Sequence, residues 1–565
     1  MTTAPAVALP RSQRAARINA ASRAVHEHER LFAALLALST AVVAFGPRIR
    51  VGGFNADDWA VYAAKKFPET RGFHSAFAAL QADGGSRIGH VFYWLISFSL
   101  FGGHTKLYSA MAALLAVVLA CTVYVLLREL HFGMIESLAM MVLTIVAPSI
   151  GAVRFWFTPG GIQIDLALFI LGLIVALRAF DAPPERRTRL HVASWSLYVA
   201  SAAYAETALP LMGCSLLVYL TRTGVAASLR RWAWDLAVVV VGYLATLSFV
   251  SSRSGFEKLA PSMWGEHANL LAGQSLTVFT RMLGPLSAAD RTLGLSGVGA
   301  LGVACLVLWR RGNVRASSRQ ELMRWGVTFL ICMTGGIASY AVFVPAMLYY
   351  EPLGPGLATH INAVTAAPLA VAVFAVVMLT RIVCFELFGD RSARVGYVLV
   401  TVAVAWYAAI ALESMHNVRS DGRIWAAASS RDYHVLHILT KVLPHPLHNA
   451  TIYTFGEAGT VAPGMPVFFT SWEQENAVKI AYERPDVSSF PVVSNGIQAS
   501  CGVRGISAIV GTKAVNAPSA YGLSYFLDIP SGRYQQIGSM ADCTAALSRF
   551  HAGPYVVTPA LEWAS

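Results

Sequence analysis

Apolar residues in this chain come in long unbroken runs. They show neither the alternation of a half-buried strand nor the narrow stripe of a surface helix. A helix that crosses a bilayer needs about 20 such residues. Runs of this kind cover approximately Leu31–Pro47, Lys106–Leu127, Met134–Val153, Gly161–Ala179, Leu190–Tyr204, Thr207–Leu220, Ala233–Val250, Leu293–Leu308, Trp325–Tyr349, Asn362–Val383 and Val395–Leu412. They predict a polytopic α-helical membrane protein of about eleven spans. The pair within 190–220 is short, with only Glu206 between its members.

Beyond Leu412 the pattern changes. Turn signals at Pro444-His445-Pro446, Ala462-Pro463-Gly464 and Pro530-Ser531-Gly532 separate short β-rich stretches, Thr451–Phe455, Val467–Thr470, Ser507–Val510 and Tyr555–Thr558. The expected organisation is an N-terminal tail (1–30), a membrane domain (31–413) with a long first outer loop (48–104), and a small α/β or mixed domain (414–565). Five of the seven cysteines sit inside spans, where a small buried hydrophobe accounts for them. Cys501 and Cys543 are the two in the C-terminal domain, and in an oxidising compartment they pair as a disulfide.

Composition supports the membrane reading: 56% of residues are hydrophobic and 13% charged, against about 25% charged in a soluble domain. The net charge of +12 does not indicate nucleic acid, because Lys and Arg cluster between apolar runs and form no basic face. Residues 1–30 carry five Arg and no apolar run, which fits a cytoplasmic tail and not a cleaved signal peptide.

Loop charges set the orientation. With 88–101 left out of the membrane, one set of loops holds 21 Lys and Arg and the other 11. The first set is then cytoplasmic, and the C-terminal domain is extracytoplasmic. Counting 88–101 as a span would turn the Arg-rich loops outward, so this segment, with His90, Tyr93 and Trp94, is expected to lie in the interface. Usage rich in Ala, Arg and Val points to a high-GC bacterium, hence its inner or plasma membrane.

Acids at a membrane edge are costly and commonly functional. Asp57-Asp58, in Phe54-Asn55-Ala56-Asp57-Asp58-Trp59, follows the first span directly. Adjacent carboxylates in different settings can divide their roles, one held ionised and the other accepting a proton. A helix N-cap is the plain structural alternative. Glu206, with no nearby Lys or Arg, is expected to face a cavity. Outer cations fit a phosphate: Arg87, Arg154, Arg253, Lys258 and Arg281, with His267 and His360; interfacial snorkelling is their alternative. Trp156 could stack on a sugar ring, or anchor in the interface like Tyr349-Tyr350-Glu351-Pro352. No CxxC, HExxH or His/Cys cluster points to zinc.

The acidic pair after the first span, then Gly-His-Val-Phe-Tyr-Trp-Leu (89–95) and Leu-Phe-Gly-Gly (100–103), resembles the GT-C superfamily of polytopic glycosyltransferases that use polyprenyl-phosphate sugars. Arg154-Phe155-Trp156-Phe157 and Tyr204-Ala205-Glu206-Thr207 are similar to motifs of a bacterial subgroup. The resemblance covers roughly residues 30–250 and leaves the C-terminal domain unmatched. It implies inverting transfer of a sugar from a polyprenyl-phosphate donor to a hydroxyl of an extracytoplasmic glycan or lipid-linked acceptor. Asp58 or Asp57 would be the general base, with Asp58 slightly preferred because it adjoins Trp59. Arg87, Arg154, Glu206, Trp156 and His360 would bind substrate. A divalent metal (Mg, Mn or Ca) at Asp57 or Asp58 is left open, as is stabilisation of the leaving phosphate by positive charge alone. The rivals are a polysaccharide polymerase or ligase, and a lipid-linked-sugar transporter or flippase. The latter calls for mid-span charges and internal repeats. Here only Asp165 and Asp235 come near, both close to expected span ends, and no repeat is visible.

Overall fold

The computed structural model describes residues 28–554, apart from 69–71, 85–86, 249–259, 285–290, 311–313, 346–355, 389–392, 469 and 495. Most of the tail before Glu29, together with Arg253, Lys258, Tyr349–Pro352 and the stretch Tyr555–Thr558, lies outside the described residues. The described part of each of the eleven apolar runs is mainly helical. Among the described residues, seven helices are long and apolar enough to cross a membrane, and Ile88–Phe101, Met134–Val146 and Leu209–Tyr219 are shorter apolar ones. The chain is a polytopic helical membrane protein with a small C-terminal sheet domain.

Side chains such as Leu31, Leu35, Val42, Val398, Val402 and Leu412 are exposed on these helices, as lipid-facing residues are. The run expected to end at Val153 stops early. The helix Met134–Val146 ends before Pro148, whose ring cannot continue a helix, and Ser149 takes φ +61°. Residues Gly151–Phe155 then form a separate short helix.

The segment 88–101 is a helix of 14 residues. At about 1.5 Å per residue it is too short to cross the hydrocarbon core. Phe92, Ile96 and Leu100, four residues apart, are exposed, while His90, Tyr93 and Trp94 on the other side are buried. That is the pattern of a helix lying in the interface.

The last long helix, Ala393–Val442, has 50 residues and passes residue 414 without a break. It is more than twice the length that about 30 Å of hydrocarbon requires, and the sheet domain follows its C-terminal end. There Thr451–Phe455 pairs in parallel with Ser488–Pro491 and with Ser524–Asp528, and Arg533–Ile537 adds an antiparallel edge. Parallel neighbours need a crossover, and the helix Ser471–Tyr482 belongs to the first of them. A second, antiparallel sheet is built on Ile497–Gly502 and Gly505–Val510. Cys501 is bonded to Cys543, with Cα atoms 6.0 Å apart, which ties this sheet to the helix Met540–Leu547. The expected strand at 467–470 is replaced by a two-residue strand at Met465–Pro466.

One apolar cluster joins the first outer loop to this domain. Phe54, Trp59 and Phe98 pack with Val435, Leu439, Ala477 and Ile452. A buried aromatic or aliphatic side chain contributes about 1.5–3 kcal/mol. The C-terminal domain is therefore fixed to the loop that bears the acidic pair.

Candidate active site

The chain leaves the first helix, Glu29–Val51, through Gly52 (φ +72°) and Gly53 (φ +107°). A Cβ at Gly53 would stand 2.4 Å from Ser429, so only glycine fits. Arg48, in the last turn of that helix, is buried beneath this turn. It donates to the carbonyls of Gly52 and Gly53 (2.6 Å each), to Phe155 O (3.2 Å) and to Ser429 Oγ (2.5 Å). Ser429 in turn donates to Asn55 Oδ1 at 2.8 Å. The guanidinium uses all three of its nitrogens here as a fastener for the turn before the acids.

Asp57 and Asp58 begin the helix Asp57–Lys66, where carboxylates oppose the positive end of the helix dipole. Their settings differ. Asp58 is wholly buried; Oδ1 accepts from Thr158 N (2.8 Å) and Oγ1 (2.6 Å), and Oδ2 accepts from Asn55 N (3.2 Å). Burial pushes its carboxyl up to about 6, against these hydrogen bonds and the Arg48 charge. Asp57 is partly exposed and accepts one hydrogen bond, from the Trp472 indole at 3.2 Å. Burial raises its pKa as well, and the indole lowers it.

Two more carboxylates stand nearby. Glu473 is buried and accepts the Ala56 N–H at 2.8 Å. Asp432, also buried, lies within electrostatic reach of Glu473 and Arg48. Among the described residues, no group of three or more His, Cys, Asp or Glu side chains is arranged to hold a metal ion. Both oxygens of Asp58 are already taken by protein donors.

A second polar group collects around Arg87. Its Nη2 and Nε donate to Glu206 Oε1 (2.6 Å) and Oε2 (3.1 Å), a two-pronged pair. Burial alone would raise Glu206; the Arg87 charge and hydrogen bonds overcome it and hold the carboxyl at about 2. Arg87 remains 45% exposed, and it lies within electrostatic reach of His360. The His360 ring meets Trp156 edge-on at 6.3 Å.

The turn 156–160 separates the two groups. Trp156 faces His360 from it, while Thr158 holds Asp58. Tyr93 and Trp94, on the helix that follows Arg87, donate to the carbonyls of Phe157 (3.3 Å) and Thr158 (3.0 Å). Arg154 does not join. It is buried and donates to Ala147 O (2.6 Å) and Thr144 O (3.0 Å), closing the break after Val146.

The near-mid-span charges are internal ties. Asp165 accepts from Ser201 Oγ (2.5 Å) and Thr207 Oγ1. Asp235 is paired with Arg231 at 2.9 Å and accepts from Tyr219 and Trp195.

A cavity of about 350 Å³ opens beside the acidic helix, lined by Phe54, Trp59, Tyr62, Tyr433 and His437, with Ala477 of the C-terminal domain on its far wall. Ligand sites are commonly apolar and aromatic with a few polar groups, as this one is.

Trp472, Glu473, Asp432 and Thr158 were not singled out in the sequence. Thr470-Ser471-Trp472-Glu473 carries the S/T-x-x-E signature of a self-capped helix. The cap is not formed: Thr470 makes no side-chain cap bond, and Glu473 reaches Ala56.

No protein-family model matches the chain, and no curated protein matches it. Solved structures do. An oligosaccharyltransferase from Archaeoglobus fulgidus, tethered to an acceptor peptide, is 12% identical, with a TM-score of 0.37 over 81% of this chain and 64% of its own. The A. fulgidus oligosaccharyltransferase AglB, with an inhibitory peptide and a dolichol-phosphate, gives 11% identity and 0.38 over 83% and 65%. ArnT from Cupriavidus metallidurans, in the apo state, gives 16% and 0.37 over 80% and 84%. The chain thus spans less than two-thirds of the length of the two archaeal structures.

Proposed function

We propose that this chain is a membrane glycosyltransferase that moves a sugar from a polyprenyl-phosphate donor to a hydroxyl of an extracytoplasmic glycan or lipid-linked acceptor, with inversion. The observation that carries the reading is the unequal pair at the head of the helix Asp57–Lys66. Asp58 is wholly buried with its oxygens occupied, and Asp57 is partly open with a single indole donor. The reacting base is therefore Asp57, and Asp58 is the fixed partner that anchors the helix to Thr158. This reverses the slight preference for Asp58 that Trp59 gave. As the acceptor oxygen bonds to the anomeric carbon, the carbon–oxygen bond to phosphate breaks and the acceptor proton passes to Asp57. One base is enough, because phosphate is already a good leaving group.

Arg87 is the cation suited to the phosphate. It is half-exposed, and its planar fork, now on Glu206, matches a phosphate equally well. The aromatic cavity beside Trp59 is the place for the acceptor, and the outward stripe Phe92, Ile96 and Leu100 lets the donor lipid arrive sideways.

The test is transfer by purified protein from a radiolabelled polyprenyl-phosphate sugar. Transfer from the lipid donor, reduced on the order of 10²–10⁴-fold in Asp57→Asn, is the expected result. Transfer from a nucleotide sugar and not from the lipid would overturn the donor assignment.

A further inference from the structure

The acid turn has an unusual backbone. Ala56, just before the helix Asp57–Lys66, takes φ +47° and ψ −126°, a conformation that residues with a Cβ rarely adopt. Such strain persists only where surrounding contacts over-determine it, and it gathers at functional sites. The head of this helix has no side-chain cap of its own. Two contacts hold it from a region more than 400 residues away. Glu473 accepts the Ala56 N–H at 2.8 Å, and the Trp472 indole donates to Asp57 Oδ1 at 3.2 Å. Both belong to the first turn of the helix Ser471–Tyr482 in the C-terminal domain. Glu473 is 1% exposed. Burying a carboxylate is costly unless it is well bonded, and its own helix offered it a cheaper use as a capping-box residue.

We propose that Glu473 and Trp472 are positioning residues for the reaction, so that the C-terminal domain completes the active site. Glu473 holds Ala56 in its strained conformation and so fixes where Asp57 stands. Trp472 sets the rotamer and the basicity of Asp57. This rests on the reading of Asp57 as the base, but the contact itself can be tested without it.

The experiment uses the full chain in detergent or nanodiscs and four variants: Glu473→Gln, Glu473→Ala, Trp472→Phe and Asp57→Asn. A glutamine oxygen can still accept the Ala56 N–H; alanine cannot. Hydrogen exchange of the amides in 54–66 should quicken in Glu473→Ala and stay near wild type in Glu473→Gln. An intact Cys501–Cys543 bond and an unchanged elution volume show that each variant is folded. In the transfer assay, Glu473→Ala should lose on the order of 10²-fold in kcat, the scale of a misplaced catalytic group, with little change in KM for the lipid donor. Glu473→Gln should recover most of it. Trp472→Phe removes a donor that lowers the Asp57 pKa, so the acid limb of its rate profile should move to higher pH. Equal exchange in all Glu473 variants overturns the latch. Loss in Glu473→Gln as deep as in Glu473→Ala also overturns it, since the acceptor oxygen would then not be what matters. Full activity in Asp57→Asn sinks the reading of the base instead, and the exchange data still decide the latch.

Discussion

Asp57 and Asp58 are neighbours in sequence whose environments separate their tasks. The distinction gives a pH prediction that does not depend on turnover. Asp58 is raised from 3.8 to about 6 in the folded protein by burial, with Thr158, Asn55 and Arg48 opposing. Below pH 3.8 the folded and unfolded states are both protonated there, and the group carries no penalty. Between that pH and about 6 the unfolded chain ionises first, so stability falls as pH rises, and above about 6 the penalty is complete. At about 1.4 kcal/mol per pKa unit it amounts to about 3 kcal/mol. Asp58→Asn keeps Oδ1 for Thr158 but loses the acceptor for Asn55. The variant should therefore be the weaker protein at pH 4 and gain on wild type by about 2–3 kcal/mol by pH 7. Denaturation midpoints at the two pH values measure it; a wild-type-to-variant gap that stays constant would mean that Asp58 is ionised throughout.

At the scale of elements, the disulfide and the ion pair at the rim make separate predictions. Cys501–Cys543 joins the antiparallel sheet to the helix Met540–Leu547 across 42 residues, and such a closure is worth about 2–4 kcal/mol. Paired Ser substitutions should lower the unfolding temperature of the C-terminal domain while leaving the membrane helices assembled. Glu206→Gln frees the Arg87 fork from a charged competitor, so the KM for the lipid donor should fall if Arg87 takes the phosphate; an unchanged KM would leave Arg87–Glu206 as an ion pair of the fold. These elements also show what the chain discloses as sequence. Helix positions were legible from the apolar runs, because a bilayer imposes both length and apolarity. The helix 88–101 was legible as an apolar run, and the loop charges argue against counting it as a span. The acid turn was visible as Asp57-Asp58. Its support was not. Arg48 reads only as one more charge at the end of the first apolar run, and Glu473 reads as the cap of its own helix. Both are spent on contacts that only the folded chain brings together. Arg154 donates instead to the backbone break after Val146, which is invisible in an apolar run.

The whole molecule joins a membrane bundle to a sheet domain through one helix, Ala393–Val442, and through the cluster around Phe54, Trp59 and Val435. We propose that the acid turn and the sheet domain are both extracytoplasmic, and two features support this orientation. The first is the loop charge, 21 Lys and Arg on one side against 11 on the other, with the richer side cytoplasmic by the positive-inside rule. The second is the disulfide, a bond that reducing compartments do not keep. Lys513 is exposed in the sheet domain, and Arg187 is exposed in a loop counted as cytoplasmic. In intact cells a membrane-impermeant thiol reagent should label Lys513→Cys and spare Arg187→Cys until the membrane is opened. The native free cysteines described, Cys121, Cys214, Cys305, Cys332 and Cys384, are all partly buried and give a low background. Labelling of Arg187→Cys but not Lys513→Cys would place the acid turn in the cytoplasm. The lipid donor, the inverted chemistry at Asp57 and the oxidising setting of Cys501–Cys543 would then fail together, because all three depend on that one orientation.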